Sequence, residues 1–286
     1  MKLLDRIHAV GMRRRLAAST IACYQAWVRD FLRFHRQGET WRTLAELAEK
    51  EVGEFLTYLA VERRLSASSQ NQATNALVFL YKHVLADELP ADHLGRFAAE
   101  RSRRPPRLPT FLSVAEVRRV LEAISHPGYR LMAELLYGTG MRLNECCTLR
   151  VRDVDFHRAQ IMVRSGKGDK DRLVMLPESI RQPLQARLTE VRRRHELDLR
   201  VGGGYVPIPD SVQHKIPQAA RDWRWQYVFA STVMRRDSQD RGLRWHTDGG
   251  AFSRVIAQAA RRSGLSKRVT PHTFRHSFAT HLLESG

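Results

Sequence analysis

The chain has 286 residues, long enough for two domains that each bury a core, and 48 lysines and arginines against 30 aspartates and glutamates give a formal net charge of +18. Both halves are basic: 18 basic and 12 acidic residues precede position 110, and 30 and 18 follow. This distribution suits contact with a polyanion along the whole chain, so nucleic acid is the expected partner. A membrane surface is the alternative, but the sequence has no lipidation signal and no long apolar run.

The amino terminus and the cysteines indicate a reduced, cytoplasmic chain. Residues 1–15, MKLLDRIHAVGMRRR, carry charges on both sides of a short apolar stretch and contain no cleavage site, unlike a secretory signal peptide. Cys23, Cys146 and Cys147 lack the spacing of metal ligands, and adjacent cysteines rarely form a disulfide. We therefore expect free thiols and a cytoplasmic location.

Residues 1 to about 100 predict a small bundle of three to four amphipathic helices. Ser19 or Thr20 is the expected cap of one helix, and a later one begins in the polar run SASSQNQ at 66–72. No segment of this half has the alternation typical of a strand. The apolar positions that follow a helical period are Tyr24, Trp27, Val28, Phe31, Phe34, Val52, Phe55, Leu56, Leu59, Ala73, Leu77, Leu80, Tyr81 and Val84.

Residues 101–109, RSRRPPRLP, predict an extended linker. Four arginines and three prolines occupy these nine positions, and prolines are excluded from helix interiors. The linker is therefore expected to be stiff and basic. It could follow a DNA backbone or simply connect two domains through solvent.

Residues 110–286 combine helices with a β-hairpin. The spacing S-x-x-E that begins at Ser113 is that of a capping box, and the apolar run at 129–137 predicts a buried helix, which the sequence GTG ends. Arg142 follows this glycine-relieved turn at the start of the next helix, where a phosphate could approach the backbone. An arginine at a helix start is more often structural or solvated, so Arg142 alone is weak evidence for a site.

Two short β-rich runs, Gln160–Val163 and 172–176, predict the hairpin. The turn between them, SGKGDKD, places Lys167 between two glycines as a cation at the hairpin tip, where it could reach into a groove. A lysine in a polar turn is usually a surface residue, so this position too is weak evidence by itself. A long helix around 180–199 is expected to follow.

The last eighteen residues, VTPHTFRHSFATHLLESG, predict a helix with Thr270 as its cap and a proline at its first position. His272 and Arg275 lie three residues apart, so their side chains leave the first turn on the same side. His272 can transfer a proton, Arg275 is a planar cation, and both lie at the positive end of the helix dipole. Together they form a suitable binding site for a phosphate. The apolar residues that recur at four-residue spacing and are expected to form the buried face are Phe274, Phe278 and Leu282.

Three stretches resemble the motifs of the tyrosine recombinases, the phage-integrase superfamily: LLYGTGMRLNECCTLRVRDVD, SGKGDKDRLVMLP and PHTFRHSFATHLLESG. The resemblance implies a mainly α fold with a small β component. Its parts would be a SAM-like α-helical core-binding domain at 1–100, the linker at 101–109, and an α+β catalytic domain at 110–286. It also implies strand exchange at DNA recombination sites without metal or nucleotide, through a covalent 3′-phosphotyrosyl intermediate. The implied catalytic residues are Arg142, Lys167, His272 and Arg275, with Glu145 in support.

The stretch at about 200–225 resembles the extra segment of integron integrases, in which Trp223 and Trp225 stand among arginines. Tryptophans in such surroundings suit stacking on unpaired bases, so the resemblance implies binding of folded single-stranded recombination sites as well as duplex DNA. The alternative is that Trp225 faces a core with Tyr227 and Phe229, while Trp223 is freer to contact DNA. A homotetramer is the implied synaptic assembly.

Other readings remain open. A chromosome-dimer resolvase of the same superfamily would share the active site but lack the 200–225 segment, and a phage-type integrase would usually carry an arm-binding domain before residue 1. The last tyrosine, Tyr227, precedes His272, whereas the family's nucleophile follows the second arginine. We therefore expect the chain to stop before the nucleophile, and this polypeptide to bind DNA without catalysis. His246 has no expected role.

Overall fold

The computed structural model describes residues 2–36, 38, 40–89, 110–164 and 171–285, so the expected linker at 101–109 and Lys167 lie outside the described residues. The chain divides into two compact units, Met1–Arg107 and Leu108–Gly286. The helices of the first unit are α1 (Leu3–Arg13), α2 (Ala18–Phe34), α3 (Glu49–Val61) and α4 (Ala67–Phe79), which continues into a π-helical turn at Leu80–Val84. The helices of the second unit are α5 (Val114–Glu122), α6 (Pro127–Thr139), α7 (Leu143–Cys147), α8 (Glu178–Arg200), α9 (Asp210–Lys215), α10 (Gly249–Arg262) and α11 (Pro271–Glu284). Its strands are β1 (Val154–Asp155), β2 (Gln160–Val163), β3 (Arg172–Met175), β4 (Ala230–Arg236) and β5 (Gly242–His246). The prediction of a mainly α fold with a small β component is confirmed.

The first unit is a helical bundle around one core, as the helical periodicity predicts. Phe31 and Phe55 are almost fully buried, and their ring centroids lie 5.4 Å apart in an edge-to-face arrangement. Ser66 caps α4 by accepting a hydrogen bond from the Ser69 backbone N–H at 3.3 Å, so the polar run does begin a helix. The amphipathic pattern therefore identified α2, α3 and α4 and most of their inward positions, but it did not identify α1, and Phe34, which it placed inward, is 37 % exposed.

The start of α2 differs from the prediction. The helix begins at Ala18 with Ala17 at its N-cap, and no side chain caps it, so Ser19 and Thr20 lie inside the first turn. The chain reaches this point from α1 through a tight turn in which Arg15 has a φ of 55°. The geometry of this turn, rather than a hydroxyl cap, sets where α2 begins.

The second unit packs its helices against a three-stranded antiparallel sheet of order β1-β2-β3. The predicted hairpin is confirmed, with Ile161 opposite Val174 and Val163 opposite Arg172. The capping box at α5 is also confirmed, because the Ser113 N–H donates to Glu116 Oε2 at 2.8 Å and the Glu116 N–H donates to Ser113 Oγ at 3.2 Å. The apolar run predicted as a buried helix is α6, which lies in the centre of the core.

The segment at 200–225 forms a small lobe with a core of its own. Its buried members include Val206 and Trp225, which pack with Tyr227, a residue shortly before β4. The backbone of Tyr205 pairs with β5, donating to the Gly242 carbonyl at 3.2 Å and accepting from the Arg244 N–H at 2.8 Å. The segment is thereby joined to the β4–β5 hairpin, a second antiparallel pair that is interrupted by a bulge between Ala230 and Met234.

The buried face of α11 differs from the predicted one. Phe274 is fully buried, but Phe278 is only partly buried and Leu282 is 59 % exposed. Residues four apart on an α-helix diverge by about 40° per step, so a strict four-residue repeat drifts off the core-facing stripe. The residue that continues the stripe is Ser277, whose hydroxyl accepts the Leu112 N–H at 2.9 Å.

No helix within the described parts of the chain is both long enough and apolar enough to cross a lipid bilayer.

The turn at Gly140 leads to a stability prediction. Gly140 ends α6 with a φ of +62°, and a Cβ added there would lie 2.5 Å from the Phe278 ring. Gly202 has a φ of +75° with open space around it, so it is a matched control. We expect Gly202→Ala to cost about 1–2 kcal/mol from the left-handed backbone alone, and Gly140→Ala to cost about 3 kcal/mol because overpacking is added. Thermal unfolding followed by circular dichroism measures both; equal losses would contradict the packing of α11 on this turn.

Candidate active site

The turn between α6 and α7 places Arg142 at the N-cap of α7. Gly140 takes the left-handed conformation that ends α6, and the Thr139 hydroxyl accepts the Met141 N–H at 3.3 Å. The chain therefore reverses within two residues and presents Arg142 at a helix start, as the GTG sequence predicts. The Gly140 carbonyl stays free of the helix and accepts a hydrogen bond from Arg275.

A buried carboxylate, Glu145, lies at the centre of the site, with its side chain only 7 % exposed. Its two oxygens accept four hydrogen bonds. The Arg142 backbone N–H and Nη1 donate at 2.7 and 2.8 Å, and Arg172 Nη1 and Nη2 donate at 2.9 and 2.6 Å. The Arg172 contact is bidentate, the strongest geometry available to an arginine and a carboxylate. Glu145 thus joins the start of α7 to the first residue of β3.

The pKa of Glu145 is held at about 2. Burial alone would raise it, but the hydrogen bonds from Arg172 and from the backbone and side chain of Arg142 stabilise the ionised form more strongly. The carboxylate is therefore charged at every physiological pH, and it fixes the position of two guanidinium groups.

Arg275 approaches the same place from the first turns of α11. Thr270 begins this helix, and its N–H donates to Thr273 Oγ1 at 3.0 Å. Burial lowers the pKa of Arg275, and the positive charges of Arg142 and Arg172 lower it further against the opposing effect of Glu145. Arg275 also donates a hydrogen bond to the Gly140 carbonyl, so the start of α11 and the α6–α7 turn form one site.

Three guanidinium groups and one carboxylate leave an excess of two positive charges. Arg172 donates from both terminal nitrogens to Glu145. Arg142 donates from one terminal nitrogen to Glu145, and Arg275 donates from one to the Gly140 carbonyl. Within the part of the chain that the structure describes, the remaining N–H groups of Arg142 and Arg275 have no protein acceptor. They are therefore available for the oxygens of an anion, with a fork geometry that matches a phosphate.

The predicted site residues have different outcomes. Arg142, Glu145 and Arg275 come together, and His272 is exposed at the same end of α11. Lys167 lies outside the described residues, although the strands that flank its turn form as predicted.

Arg172 is the site residue that the sequence analysis missed. Along β3, Arg172 and Val174 are partly buried and alternate with exposed Leu173 and Met175. An arginine on the inward face of a strand needs a buried acid as its partner. The alternation along β3 places Arg172 inward, and it would therefore have suggested Glu145 as that acid.

The two tryptophans of the 200–225 segment have different surroundings. Trp225 is 7 % exposed, and the Arg152 guanidinium carbon lies 3.3 Å from its ring centroid. The expectation that Trp225 stacks on a base is therefore wrong, because its ring is already covered within a core. Trp223 is partly exposed and lies beside His195, at 6.1 Å between ring centroids, and Arg192, at 5.8 Å.

His246, which had no expected role, is held in place by neighbours at the end of β5. Its Nδ1 lies 2.8 Å from the Thr247 carbonyl oxygen, and its ring meets that of Tyr227 edge-on. Tyr227 itself is 4 % exposed, with its hydroxyl bonded to Arg150.

Comparison with known proteins identifies the family. The sequence matches the phage integrase family over residues 110–286, and the phage integrase N-terminal SAM-like domain over residues 3–91. The chain therefore belongs to the phage integrase family of tyrosine recombinases, whose activity is the cleavage and rejoining of DNA strands.

Individual relatives agree with this assignment. An integrase/recombinase of Escherichia coli is 40 % identical over an aligned length of 288 residues, and the match covers 100 % of this chain and 82 % of the relative. The tyrosine recombinase XerD of Mycobacterium leprae is 32 % identical over 295 residues, covering 96 % of this chain and 81 % of that protein. In fold, the chain is similar to a lambda integrase fragment crystallised as a dimer on a core-site DNA. That match has a TM-score of 0.65 at 19 % identity, over 99 % of this chain and 86 % of that one.

The charge state of Glu145 leads to a prediction on pH dependence. Its folded pKa of about 2 lies below the unfolded value of about 4.3, so its stabilisation is present above that unfolded pKa and lost as the pH falls towards 2. We expect Glu145→Gln to lower the free energy of unfolding by about 3 kcal/mol at pH 7, and the difference from wild type to shrink towards zero near pH 2. Urea unfolding at a series of pH values measures this.

The control is Glu196→Gln, which removes a carboxylate that is 54 % exposed on α8 and should change the free energy of unfolding by no more than about 0.5 kcal/mol at any pH. A Glu145→Gln difference that stays constant from pH 7 to pH 2 would contradict the assigned ionisation.

Proposed function

We propose that the protein is a site-specific DNA recombinase of the integron-integrase type, and that the site around Glu145 binds the scissile phosphate. The observation that carries this proposal is the buried, ionised Glu145, which holds Arg142 and Arg172 beside Arg275 and leaves an excess of two positive charges. A phosphodiester carries one negative charge, and nucleophilic attack raises it towards two. The site's charge therefore complements the transition state better than the ground state, as catalysis requires.

The proposed chemistry forms one bond and breaks one at phosphorus. A tyrosine oxygen attacks the scissile phosphate, the bond to the 5′-oxygen breaks, and a 3′-phosphotyrosyl ester remains. Arg142 and Arg275 hold the non-bridging oxygens through the N–H groups that have no acceptor among the described residues. His272 accepts the tyrosine proton, and Lys167 donates a proton to the departing 5′-oxygen. Glu145 acts by orienting Arg142.

The proposed assembly is a homotetramer on DNA in the bacterial cytoplasm, associated with the nucleoid. Residues 1–100 would form the core-binding domain, the basic linker at 101–109 would follow the duplex, and residues 110–286 would hold the scissile strand. A lambda integrase of similar fold has been crystallised as a tetramer bound to a Holliday junction, which supports this arrangement by analogy.

The integron type rests on Trp223. The 200–225 segment packs into a lobe whose buried residues include Trp225, while Trp223 keeps part of its ring exposed beside the Arg192 cation. A partly exposed indole next to an arginine suits stacking on an unpaired base close to a backbone phosphate.

Two other functions have some support. A chromosome-resolving recombinase of the Xer type is favoured by the 32 % identity to a XerD, and it would bind perfect duplex without a preference for unpaired bases. Residues 1–286 alone could instead act as a DNA-binding protein without catalysis, since no tyrosine follows Arg275 in them.

Binding of folded single strands tests the integron type. We expect a hairpin recombination site with unpaired bases to bind more tightly than the perfect duplex of the same arms, because only an unpaired base can stack on Trp223. Trp223→Ala should remove about 1–3 kcal/mol from hairpin binding and leave duplex binding nearly unchanged. Fluorescence anisotropy with both DNAs measures this, with Trp245→Ala as the control, because Trp245 is an exposed tryptophan of β5 whose ring lies beside that of His246. Equal affinity of wild type for hairpin and duplex would favour the Xer type.

Covalent chemistry tests the nucleophile. Residues 1–286 contain the two phosphate-binding arginines, but Tyr227 is buried and the sequence places no tyrosine after Arg275. We therefore expect no covalent protein–DNA adduct on a nicked suicide substrate at any pH, as read by denaturing electrophoresis. An adduct formed by residues 1–286 would mean that another side chain is the nucleophile.

A chimera provides the positive control for that experiment. It carries, after residue 286, a tyrosine-containing segment taken from a related tyrosine recombinase, and it should form the adduct. Arg142→Ala in this chimera should lower the rate by about 10²–10³-fold, the usual cost of losing one preorganised charge-stabilising group.

A further inference from the structure

A second group of arginines lies around Trp225, outside the site described above. Its members come from the stretch between α7 and β1, where a short 3₁₀ turn spans Val151–Asp153, and from the strand end at Arg164. Arg150 is fully engaged there: its guanidinium donates to the carbonyls of Trp225 at 2.6 Å and Pro207 at 2.8 Å. Arg150 therefore anchors the 200–225 lobe and has a structural role.

Arg152 is held differently. Its guanidinium carbon lies 3.3 Å from the Trp225 ring centroid, and its side chain is only 27 % exposed. Within the described residues, no protein acceptor lies within hydrogen-bond distance of its guanidinium, and its nearest carboxylate, Asp153, is 3.7 Å away. A guanidinium that has lost much of its water and gained no acceptor is costly to maintain, so the geometry favours an anion as its missing partner.

The surrounding charges also favour an anion. Asp153 is already occupied by Arg164, whose Nε donates to it at 2.6 Å. Burial lowers the pKa of Arg152, and the nearby positive charges of Arg164, Arg150 and Arg224 lower it further, against the single opposing charge of Asp153. Arg152 thus lies among three other arginines, held by the Trp225 ring and by a long ion pair of 3.7 Å with Asp153.

The sheet places Arg152 at the same end as the candidate active site. Val163 pairs with Arg172, and Val154 pairs with Ile161, so the residues just before β1 lie at the tip end of the β2–β3 hairpin. Two inter-strand spacings, about 10 Å, separate Val154 from Val174, and Arg152 and Arg172 each lie two residues from these positions towards that end. A DNA strand that passes the active site therefore carries further phosphates within reach of it, because a duplex strand has one charge per about 3.4 Å of axis.

We propose that Arg152, held over Trp225, is a binding site for a DNA backbone phosphate flanking the scissile one. The 200–225 lobe then has a second role, because the ring that fixes Arg152 belongs to it. This proposal rests on the proposed function, since it requires that DNA passes the active site.

The test compares three variants of the full chain. Affinity for a recombination-site duplex and for a scrambled duplex is measured from 50 to 200 mM salt for wild type, Arg152→Gln and Arg158→Gln. Arg158 is 79 % exposed in the turn at the opposite end of the same strands and is the matched control. We expect Arg152→Gln to reduce the slope of log affinity against log salt by about 0.9, a change of about 3.5-fold over this range, equally on both duplexes. Arg158→Gln should keep the wild-type slope.

A scan of single methylphosphonates, which neutralise one phosphate at a time, locates the contact. One position flanking the scissile phosphate should weaken binding of wild type but not of Arg152→Gln. If Arg152→Gln lowers the melting temperature, Arg152→Lys distinguishes loss of the charge from loss of the fold. The retained charge should restore the wild-type slope of log affinity against log salt. An unchanged slope and an unchanged methylphosphonate pattern in a folded Arg152→Gln protein would overturn this proposal alone. Weak, salt-independent binding by wild type would instead overturn the proposed function.

Discussion

The second unit depends on one buried carboxylate. Glu145 is the acceptor for four N–H groups from two separate parts of the chain, and without it Arg142 and Arg172 would face each other as unpaired like charges. Truncating one partner of such a buried network leaves an uncompensated charge, which typically costs several kcal/mol. The same carboxylate neutralises only one of the three guanidinium groups, so an excess of positive charge remains. Stability and anion binding therefore have one physical origin here.

This arrangement also explains how distant stretches of sequence form one site. The α6–α7 turn supplies the Gly140 carbonyl and Arg142, β3 supplies Arg172, and α11 supplies Arg275. Arg172 and Arg275 are tethered by groups from other elements and Arg142 by Glu145 of its own helix, which limits the rotamers of these long side chains before any ligand arrives. Preorganised donors of this kind do not have to rearrange when charge develops in a transition state.

The sequence predicted those features whose cause is local. The capping box at Ser113, the end of α6 at the GTG sequence and the helix start at Thr270 each depend on a few adjacent residues, and the structure has all three. The α-helical class and the β2–β3 hairpin followed from periodicity in the same way. Arg142, Glu145 and Arg275 were found because their motifs resemble those of a known family, since none of them is distinctive alone.

What the sequence did not predict depends on contacts between distant residues. Arg172 is a site residue only because Glu145 lies opposite β3. The sequence left two readings of Trp225 open, and its contacts with Arg152 and the lobe decide for the one in which its ring is buried. The β4–β5 hairpin has a bulge and mostly polar strand residues, so it lacks the alternation that indicates a strand. Leu282 was misplaced because a four-residue repeat drifts around a helix of 3.6 residues per turn.

The central claim is that Arg142 and Arg275 together bind one DNA phosphate while Glu145 keeps its two arginine partners. A crystal structure of the chain on a recombination-site duplex tests it most directly. The account predicts a single backbone phosphate within hydrogen-bond distance of both guanidinium groups, with the bidentate contact between Arg172 and Glu145 intact. A bound duplex whose phosphates avoid both arginines, or an Arg142 that leaves Glu145 to point away from the DNA, would contradict it.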